Sequence, residues 1–212
     1  MYTLGVIPAR GGSKGIPRKN LYPLNGKPLI RYTIEAALES DLDDVVVTTD
    51  SDEIAQTHWK VIRRPPELAQ DDTPMLPVIQ HAVREFGRRV DAVVTLQPTS
   101  PLRTAEDMHE ALEMFKASSR DSLVSVCEGI HPVKSYDENL KPFLEQVPYD
   151  KHKHRCYTRN GAIFITRIDL LDSGRLIGDP LFYVMPRSRS VDVDSVDDLV
   201  IATALLRSGG DG

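Results

Sequence analysis

The chain has 212 residues, of which 41% are apolar and 27% charged, and its formal net charge is −5 at pH 7. This length and balance indicate one soluble domain with a complete core, and the negative charge excludes a general nucleic-acid binder. We expect no signal peptide and no membrane partner, because the first residues already have a strand pattern and no apolar run approaches the ~20 residues of a membrane span. Cys127 and Cys156 lack metal-ligand spacing, which predicts reduced thiols in a cytoplasmic protein.

Short β-branched runs alternate with helical stretches over the first part of the chain. The predicted strands are 3–8, 44–48, 91–96 and 122–127, and the predicted helices are about 28–40, 51–58, 74–88 and 104–118. The strands are almost wholly apolar, which is typical of a parallel sheet covered on both faces. The predicted class is therefore α/β, with a doubly wound, mostly parallel, Rossmann-like sheet, helices on both faces and ligands at the carboxyl ends of the strands.

The alternation stops over an irregular insert at about 128–158, which has several prolines and little helical period. An insert of this length is either functional or packed on something else. The chain then resumes with a strand from about 160, a strand at about 181–185 and a last helix from about 195. We expect a single domain over 1–207, with a flexible tail at 208–212.

The loop after the first strand contains three glycines and four cations within ten residues. The cations are Arg10, Lys14, Arg18 and Lys19. Glycines allow backbone N–H groups to approach a ligand, and clustered cations repel one another unless an anion lies among them, so the loop predicts a polyphosphate site. A solvated basic loop is the alternative. The Walker and dinucleotide motifs are excluded, because Gly26-Lys27 is followed by Pro28 and no glycine triplet has the dinucleotide spacing.

Three further groups of polar residues follow predicted strands. Gln97 stands in a segment stiffened by two prolines that either presents groups to a ligand or only connects two elements. Asp192 and Asp194 alternate with valines, which on a strand places both carboxylates on one face, where Mg²⁺ (or Mn²⁺) bound to substrate phosphates would join them. Asp50 could contact a sugar hydroxyl or a second metal, but we favour an N-cap for helix 51–58.

Five segments, in this order, resemble those of the acylneuraminate cytidylyltransferases, also called CMP-sialic acid synthetases. They are IPARGGSKGIPRKN at 7–20, RPPELA at 64–69, LQPTSPLR at 96–103, RNGAIFI at 159–165 and VDVD at 191–194. The sister family that activates Kdo ends its first loop with Arg-Leu-Pro-Gly-Lys-Pro, whereas this loop ends at 16–20 with IPRKN. That ending favours the branch that activates nine-carbon acids.

The resemblance implies a nucleotidyltransferase that joins CMP from CTP to the anomeric hydroxyl of a 2-keto-3-deoxy nonulosonic acid and releases pyrophosphate. The implied nucleotide-binding residues are Arg10, Gly11, Gly12, Ser13, Lys14, Lys19, Asn20, Arg64 and Thr73. The implied residues for the sugar acid are Gln97, Thr99, Ser100, Arg103, Lys151, Arg155, Arg159 and Asn160. Asp192 and Asp194 would bind the metal and, with Arg10 and Lys19, carry catalysis. The insert at 128–158 would form a dimerisation arm over the partner's site, so a homodimer is expected.

Two departures from the family pattern bear on the substrates. An arginine that meets the sugar carboxylate in sialic acid enzymes is replaced here by Asp150 and Lys151, so nearby cations would take its place. Met75 stands where some relatives have a serine near the base. One alternative is the same chemistry with a different acid (Kdo-type, legionaminic or pseudaminic) or with another nucleoside triphosphate. The other is a non-catalytic protein that binds a nucleotide or a sugar acid.

Overall fold

The computed structural model describes residues 1–129 and 156–209. The strands within these residues are β1 Thr3–Pro8, β2 Pro23–Leu24, β3 Lys27–Pro28, β4 Asp44–Thr49, β5 Val61–Arg63, β6 Ala92–Thr95, β7 Ser122–Gly129, β8 Cys156–Arg167 and β9 Pro180–Met185. The α-helices are α1 Leu29–Leu38, α2 Asp52–Ala55, α3 Met75–Phe86, α4 Ala105–Lys116, α5 Ile168–Asp172 and α6 Val196–Ser208. Short 3-10 helices lie at Lys19–Leu21, Pro66–Leu68 and Arg187–Arg189.

Seven strands form one sheet in the order β5-β4-β1-β6-β8-β7-β9, and β2 and β3 form a separate two-stranded hairpin. β8 pairs antiparallel with β6 and β7, whereas the other neighbours in the large sheet pair in parallel. The prediction of a mostly parallel sheet is confirmed. Because β1, β4 and β6 run in the same direction, the loops that leave them meet at one edge of the sheet.

Helices cover the sheet on both faces, as the unbroken apolar strands predict. Neighbours such as Val45 and Val46 on β4 point to opposite faces because side chains alternate along a strand. Val45 packs in the cluster that contains Ile34 of α1, whereas Val46 packs with Ile79 of α3 and Leu171 of α5. Two buried clusters, one on each face, therefore hold the sheet in the middle of a doubly wound domain.

Several boundaries differ from the prediction. β5, α5 and the β2–β3 hairpin were not predicted, and α2 has four residues instead of eight. Glu128, Gly129 and residues 156–158 belong to paired strands and not to an irregular insert, because β7 and β8 continue their ladder to Gly129 and Cys156. The rest of the predicted insert, and the tail beyond 209, lie outside the described residues.

Two helix starts have reciprocal side-chain caps. The Thr104 hydroxyl accepts from the Asp107 amide and the Asp107 carboxylate accepts from the Thr104 amide, which together form a capping box at the start of α4. Ser195 and Asp198 form the same arrangement at α6, and Asp197 and Asp198 lie in its first turn. Of the helices in the described part of the chain, none combines the length and apolar character that crossing a membrane requires.

Candidate active site

A cleft of about 230 Å³ opens at the edge of the sheet where β1, β4 and β6 end. Its lining comes from the loop after β1, from the segment before α3 and from the segment after β6. The predicted site residues that line it are Arg10, Gly12, Ser13, Lys19, Asn20, Arg64, Thr73, Gln97 and Thr99. The fold thus brings most of the predicted nucleotide contacts to one cavity, but only Gln97 and Thr99 of the predicted contacts to the sugar acid.

Polar tethers shape the first loop, which we define as residues 9–19. The Gly11 amide donates to Asp50 Oδ1 at 2.8 Å, and the Asn20 side chain donates to the Arg10 carbonyl at 2.9 Å. A Cβ on Gly15 would lie 2.7 Å from the Asp194 carbonyl oxygen, so only glycine allows this close approach. The predicted N-cap role of Asp50 is wrong, because Ser51 caps α2 and Asp50 fixes the loop.

Three cations at or beside the cleft, Arg10, Lys14 and Lys19, have acidic partners. Arg10 and Lys14 both contact the Asp71 carboxylate, at 2.5 and 2.9 Å. The Lys19 ammonium donates to Asp194 Oδ1 and to the Val193 carbonyl, both at 2.9 Å. Arg18 instead pairs with Glu53 outside the cleft. The first loop is therefore joined by ion pairs to two other segments, through Asp71 on one side and through Asp194 on the other.

Asp192 and Asp194, the acid pair, differ in their surroundings. They do not lie on a strand as predicted; the segment is irregular and is anchored by buried Val193, whose amide donates to the Thr99 carbonyl at 2.8 Å. Asp192 Oδ1 is buried without a hydrogen-bond partner among the described residues. Burial raises the pKa of Asp192, the Thr99 hydroxyl opposes that shift and the Asp194 charge reinforces it. Asp194 is exposed apart from its contact with Lys19.

The chemistry of this donor set fits a hard divalent cation. An unpartnered buried carboxylate oxygen beside a second carboxylate is the arrangement that Mg²⁺ accepts when substrate phosphates complete its coordination. Within residues 1–129 and 156–209, no group of three or more His, Cys, Asp or Glu side chains could hold a metal alone. Any metal at this edge would therefore depend on the bound nucleotide for its remaining ligands.

The segment after β6 divides into residues at the cleft and residues below it. Gln97 and Thr99 line the cleft, whereas Ser100 and Arg103 are buried. Arg103 Nη1 donates to the Ala162 carbonyl at 2.6 Å and to the Gln97 carbonyl at 3.4 Å. Burial lowers the pKa of Arg103 to about 9, with the Asp107 charge acting in the opposite direction. The structure thus places Arg103 behind the cleft, where it supports Gln97.

The other side of the cleft combines one buried cation with apolar surface. Arg64 is buried, its Nη2 donates to the Thr48 carbonyl at 2.9 Å, and burial lowers its pKa to about 10. The Thr73 hydroxyl donates to the Glu67 carbonyl at 3.3 Å. Met75 and Val78, at the start of α3, line the same wall. This wall could hold a flat heterocycle against methionine and valine.

The predicted sugar-acid residues on β8 separate into a buried and an exposed member. Asn160 is buried; its Oδ1 accepts from the Ser125 hydroxyl at 2.6 Å and its Nδ2 donates to the Ser190 hydroxyl at 2.9 Å. Gly161 has φ +73°, and a Cβ there would lie 3.4 Å from Asp192 Oδ2. Asn160 therefore lies at the irregular part of the β7–β8 ladder, beside the acid pair. Arg159 is exposed on β8, and Lys151 and Arg155 lie outside the described residues.

A buried ion pair that the sequence did not reveal fixes the segment leading to the acid pair. Arg189 donates to both carboxylate oxygens of Asp107, at 2.8 and 2.9 Å, and Asp107 is fully buried. The Tyr183 hydroxyl donates to Glu110 at 2.6 Å and contacts Asp107 at 3.2 Å. The contact of Asp71 with Arg10 and Lys14 was not predicted either. Both arise from residues distant in sequence, and neither has a local signal beyond its charge.

The mostly parallel sheet and the cationic glycine loop at its edge define a nucleotidyltransferase-type α/β fold. A family model described as cytidylyltransferase matches residues 4–191. The chain is a member of the cytidylyltransferase family, which confirms the predicted resemblance.

Individual members of the family that are similar to this chain are named for particular sugar acids. The N-acylneuraminate cytidylyltransferase of Escherichia coli O18:K1:H7 is 34% identical, over 95% of this chain and 51% of its own length. The chain thus spans about half the length of that relative. Two relatives match end to end: the pseudaminic acid cytidylyltransferase of Campylobacter jejuni is 30% identical over 98% of this chain and 97% of its own, and the CMP-N,N'-diacetyllegionaminic acid synthase of Legionella pneumophila is 32% identical over 97% of both.

A solved structure shares the fold. It is that of a CMP:2-keto-3-deoxy-manno-octonic acid synthetase complexed with CTP, which superimposes with a TM-score of 0.77 at 18% identity and covers 99% of this chain and all of that one.

Proposed function

We propose that this protein transfers CMP from CTP to the anomeric hydroxyl of a nonulosonic acid and releases pyrophosphate. The observation that carries the proposal is the contact of Lys19 with Asp194, because it joins the acid pair to a cation of the first loop that lines the cleft. The end-to-end relatives named for pseudaminic and diacetyllegionaminic acids support an acceptor of this class.

The reaction requires the protein to align the sugar hydroxyl with the α-phosphorus and to neutralise the charge of the triphosphate. A bond forms between the sugar oxygen and the α-phosphorus, the bond to pyrophosphate breaks, and the hydroxyl proton is released. Arg10, Lys14 and Lys19 can neutralise the triphosphate, and the Gly12 amide lies in the same loop, whereas the Gly11 amide is taken up by Asp50. Preorganised cations near the developing charge lower the barrier without a covalent intermediate.

The acid pair is the proposed site for Mg²⁺ (or Mn²⁺). Asp192 would offer its unpartnered buried oxygen, and Asp194 would offer a carboxylate that now contacts Lys19. When bound, the ion would supply charge neutralisation at the triphosphate. The Val193 anchor and Gly15 hold both carboxylates next to the first loop whether or not the ion is present.

The nucleoside and the sugar acid would occupy opposite sides of the cleft. Asn20, Arg64 and the apolar wall at Met75 would receive the ribose and base. Gln97 would contact the sugar acid, near the turn at Gly161. Residues Thr99 and Ser100 follow on the same segment. An acceptor carboxylate requires its own counter-charge, for which we propose Arg159 together with Lys151 and Arg155.

We also propose a homodimer, with the insert at 128–158 as its arm. β9 is an edge strand of the large sheet, and two of its large apolar side chains, Phe182 and Val184, are exposed. Tyr157, at the start of β8, is exposed as well. Exposed apolar surface beside the two ends of the insert supports an interface with a second copy of the chain at this edge.

The test is a matrix of pyrophosphate-release assays. Each of the four nucleoside triphosphates is combined with sialic, legionaminic, pseudaminic and Kdo acids, with and without Mg²⁺. We expect release only with CTP and a nine-carbon acid, and none when Asp192→Asn replaces the native chain. Tight CTP binding without release under every condition would favour a non-catalytic binding protein and contradict the proposal.

A further inference from the structure

Asp71 holds two cations of the first loop at once. Its Oδ1 lies 2.5 Å from Arg10 Nη1 and its Oδ2 lies 2.9 Å from Lys14 Nζ. Asp71 also lines the cleft, beside Arg10 and Ser13. The carboxylate therefore stands inside the candidate site, on groups that the proposed function gives to the triphosphate.

A carboxylate and a phosphate cannot use the same donors at full strength. Both oxygens of Asp71 are taken up by the two cations, and these hydrogen bonds, from Lys14 first and Arg10 second, lower the pKa of Asp71. The carboxylate is thus ionised at neutral pH and repels an incoming phosphate. A polyphosphate that binds through Arg10 and Lys14 therefore competes with Asp71 for their charge and for the donors on Arg10 Nη1 and Lys14 Nζ.

The exposure of the three groups makes such a separation feasible. The side chains of Arg10, Lys14 and Asp71 are 28%, 79% and 42% exposed. Ion pairs this accessible to water are weak and are screened by salt. Lys19 differs, because its side chain is only 15% exposed and its ammonium contacts the acid pair instead.

We propose that Asp71 is a built-in competitor for polyphosphate, which occupies Arg10 and Lys14 in the free protein and is displaced when a polyphosphate binds. The inference rests on the proposed function, since it takes a triphosphate as the ligand. Asp71 thereby weakens the binding of CTP and of the product pyrophosphate alike, and it re-forms its pairs as pyrophosphate leaves. It is a residue that sets affinity and product release, not one that touches the reacting atoms.

Calorimetric titration of the full chain with inorganic pyrophosphate, and separately with CTP, tests the inference. Asp71→Asn retains the shape of the side chain and removes its charge. We expect both ligands to bind about three- to tenfold more tightly to it, the size that follows from freeing weak, exposed pairs. Inhibition of turnover by pyrophosphate should become stronger by a similar factor.

Asp72→Asn is the matched control, because Asp72 is an exposed neighbour that forms no ion pair with any described residue. It should leave both affinities within about twofold of wild type. Asp71→Ala, with a melting curve of each variant, guards against a folding defect specific to one substitution. Equal or weaker binding by folded Asp71→Asn and Asp71→Ala would overturn the inference while leaving the proposed function intact. A wild-type chain that binds neither ligand would overturn both.

Discussion

Replacing Arg189 tests the buried ion pair that positions the acid pair. Arg189→Met keeps an unbranched apolar stem but leaves the Asp107 carboxylate without its two donors at 2.8 and 2.9 Å. Breaking a fully buried pair costs about 3–5 kcal/mol. Arg189 is 37% exposed, so water can reach the vacated side and Thr104 still donates to Asp107; we therefore expect a loss of about 1–3 kcal/mol in the free energy of unfolding.

The loss should depend on pH in a defined direction. Burial acts to raise the pKa of Asp107, but hydrogen bonds from Arg189 and Thr104 outweigh it, and the pKa lies below its usual value. A depressed pKa means that the ionised carboxylate stabilises the fold above the unfolded-state pKa of about 3.9, and that this stability disappears as pH falls through the folded-state pKa. The difference between wild type and Arg189→Met should therefore shrink below about pH 4.

Urea unfolding at pH 7 and at several values between pH 5 and 3 measures both effects. Arg187→Met, an exposed arginine of the same 3-10 helix, serves as the control and should change the free energy of unfolding by less than about 0.5 kcal/mol. An Arg189→Met variant as stable as this control at pH 7, or one whose deficit is the same at pH 3 as at pH 7, would refute the reasoning.

Three further predictions concern activity. Lys19→Ala should lose about 2–4 kcal/mol of transition-state stabilisation, seen as a fall in kcat/KM with an unchanged melting temperature; near-wild-type turnover would contradict the role of the first loop. Asp192→Asn should abolish Mg²⁺-dependent turnover yet melt no lower without metal, because burial already disfavours its charge; full activity of the wild type in EDTA would contradict the metal site. Among Lys151→Ala, Arg155→Ala and Arg159→Ala, at least one should raise the KM for the sugar acid roughly tenfold while the KM for CTP stays constant; three unchanged values would place the carboxylate elsewhere.

The sequence predicted the sheet well because its signals are local. Continuous apolar runs such as 45–47 and 92–94 can only be strands buried on both faces, and the structure places them so. The glycines and cations directly after β1 also predicted a loop at the edge of the sheet, and the structure places residues of that loop on the cleft. Short elements were missed because three residues at β5 or five at α5 carry too little periodicity to distinguish from a loop.

The errors at the site come from contacts between distant segments. Alternating Asp and Val predicted a strand at 191–194, but the segment is irregular. Val193 alone anchors it, because its side chain is buried in the core and its backbone amide donates to the Thr99 carbonyl. Arg103 has the charge of a substrate contact, yet it is buried beneath Gln97. The bridging of Arg10 and Lys14 by Asp71 joins residues some 60 positions apart, and no local pattern encodes it.

The central claim is that the α-phosphoryl group of CTP moves to the sugar acid. The most direct measurement incubates the protein with the acid, Mg²⁺ and CTP labelled either at the α- or at the γ-phosphorus, and then separates the products. We expect the α label to enter a sugar nucleotide and the γ label to appear only in pyrophosphate. A γ label on the sugar acid, or an α label that ends in free CMP without any sugar nucleotide, would contradict it.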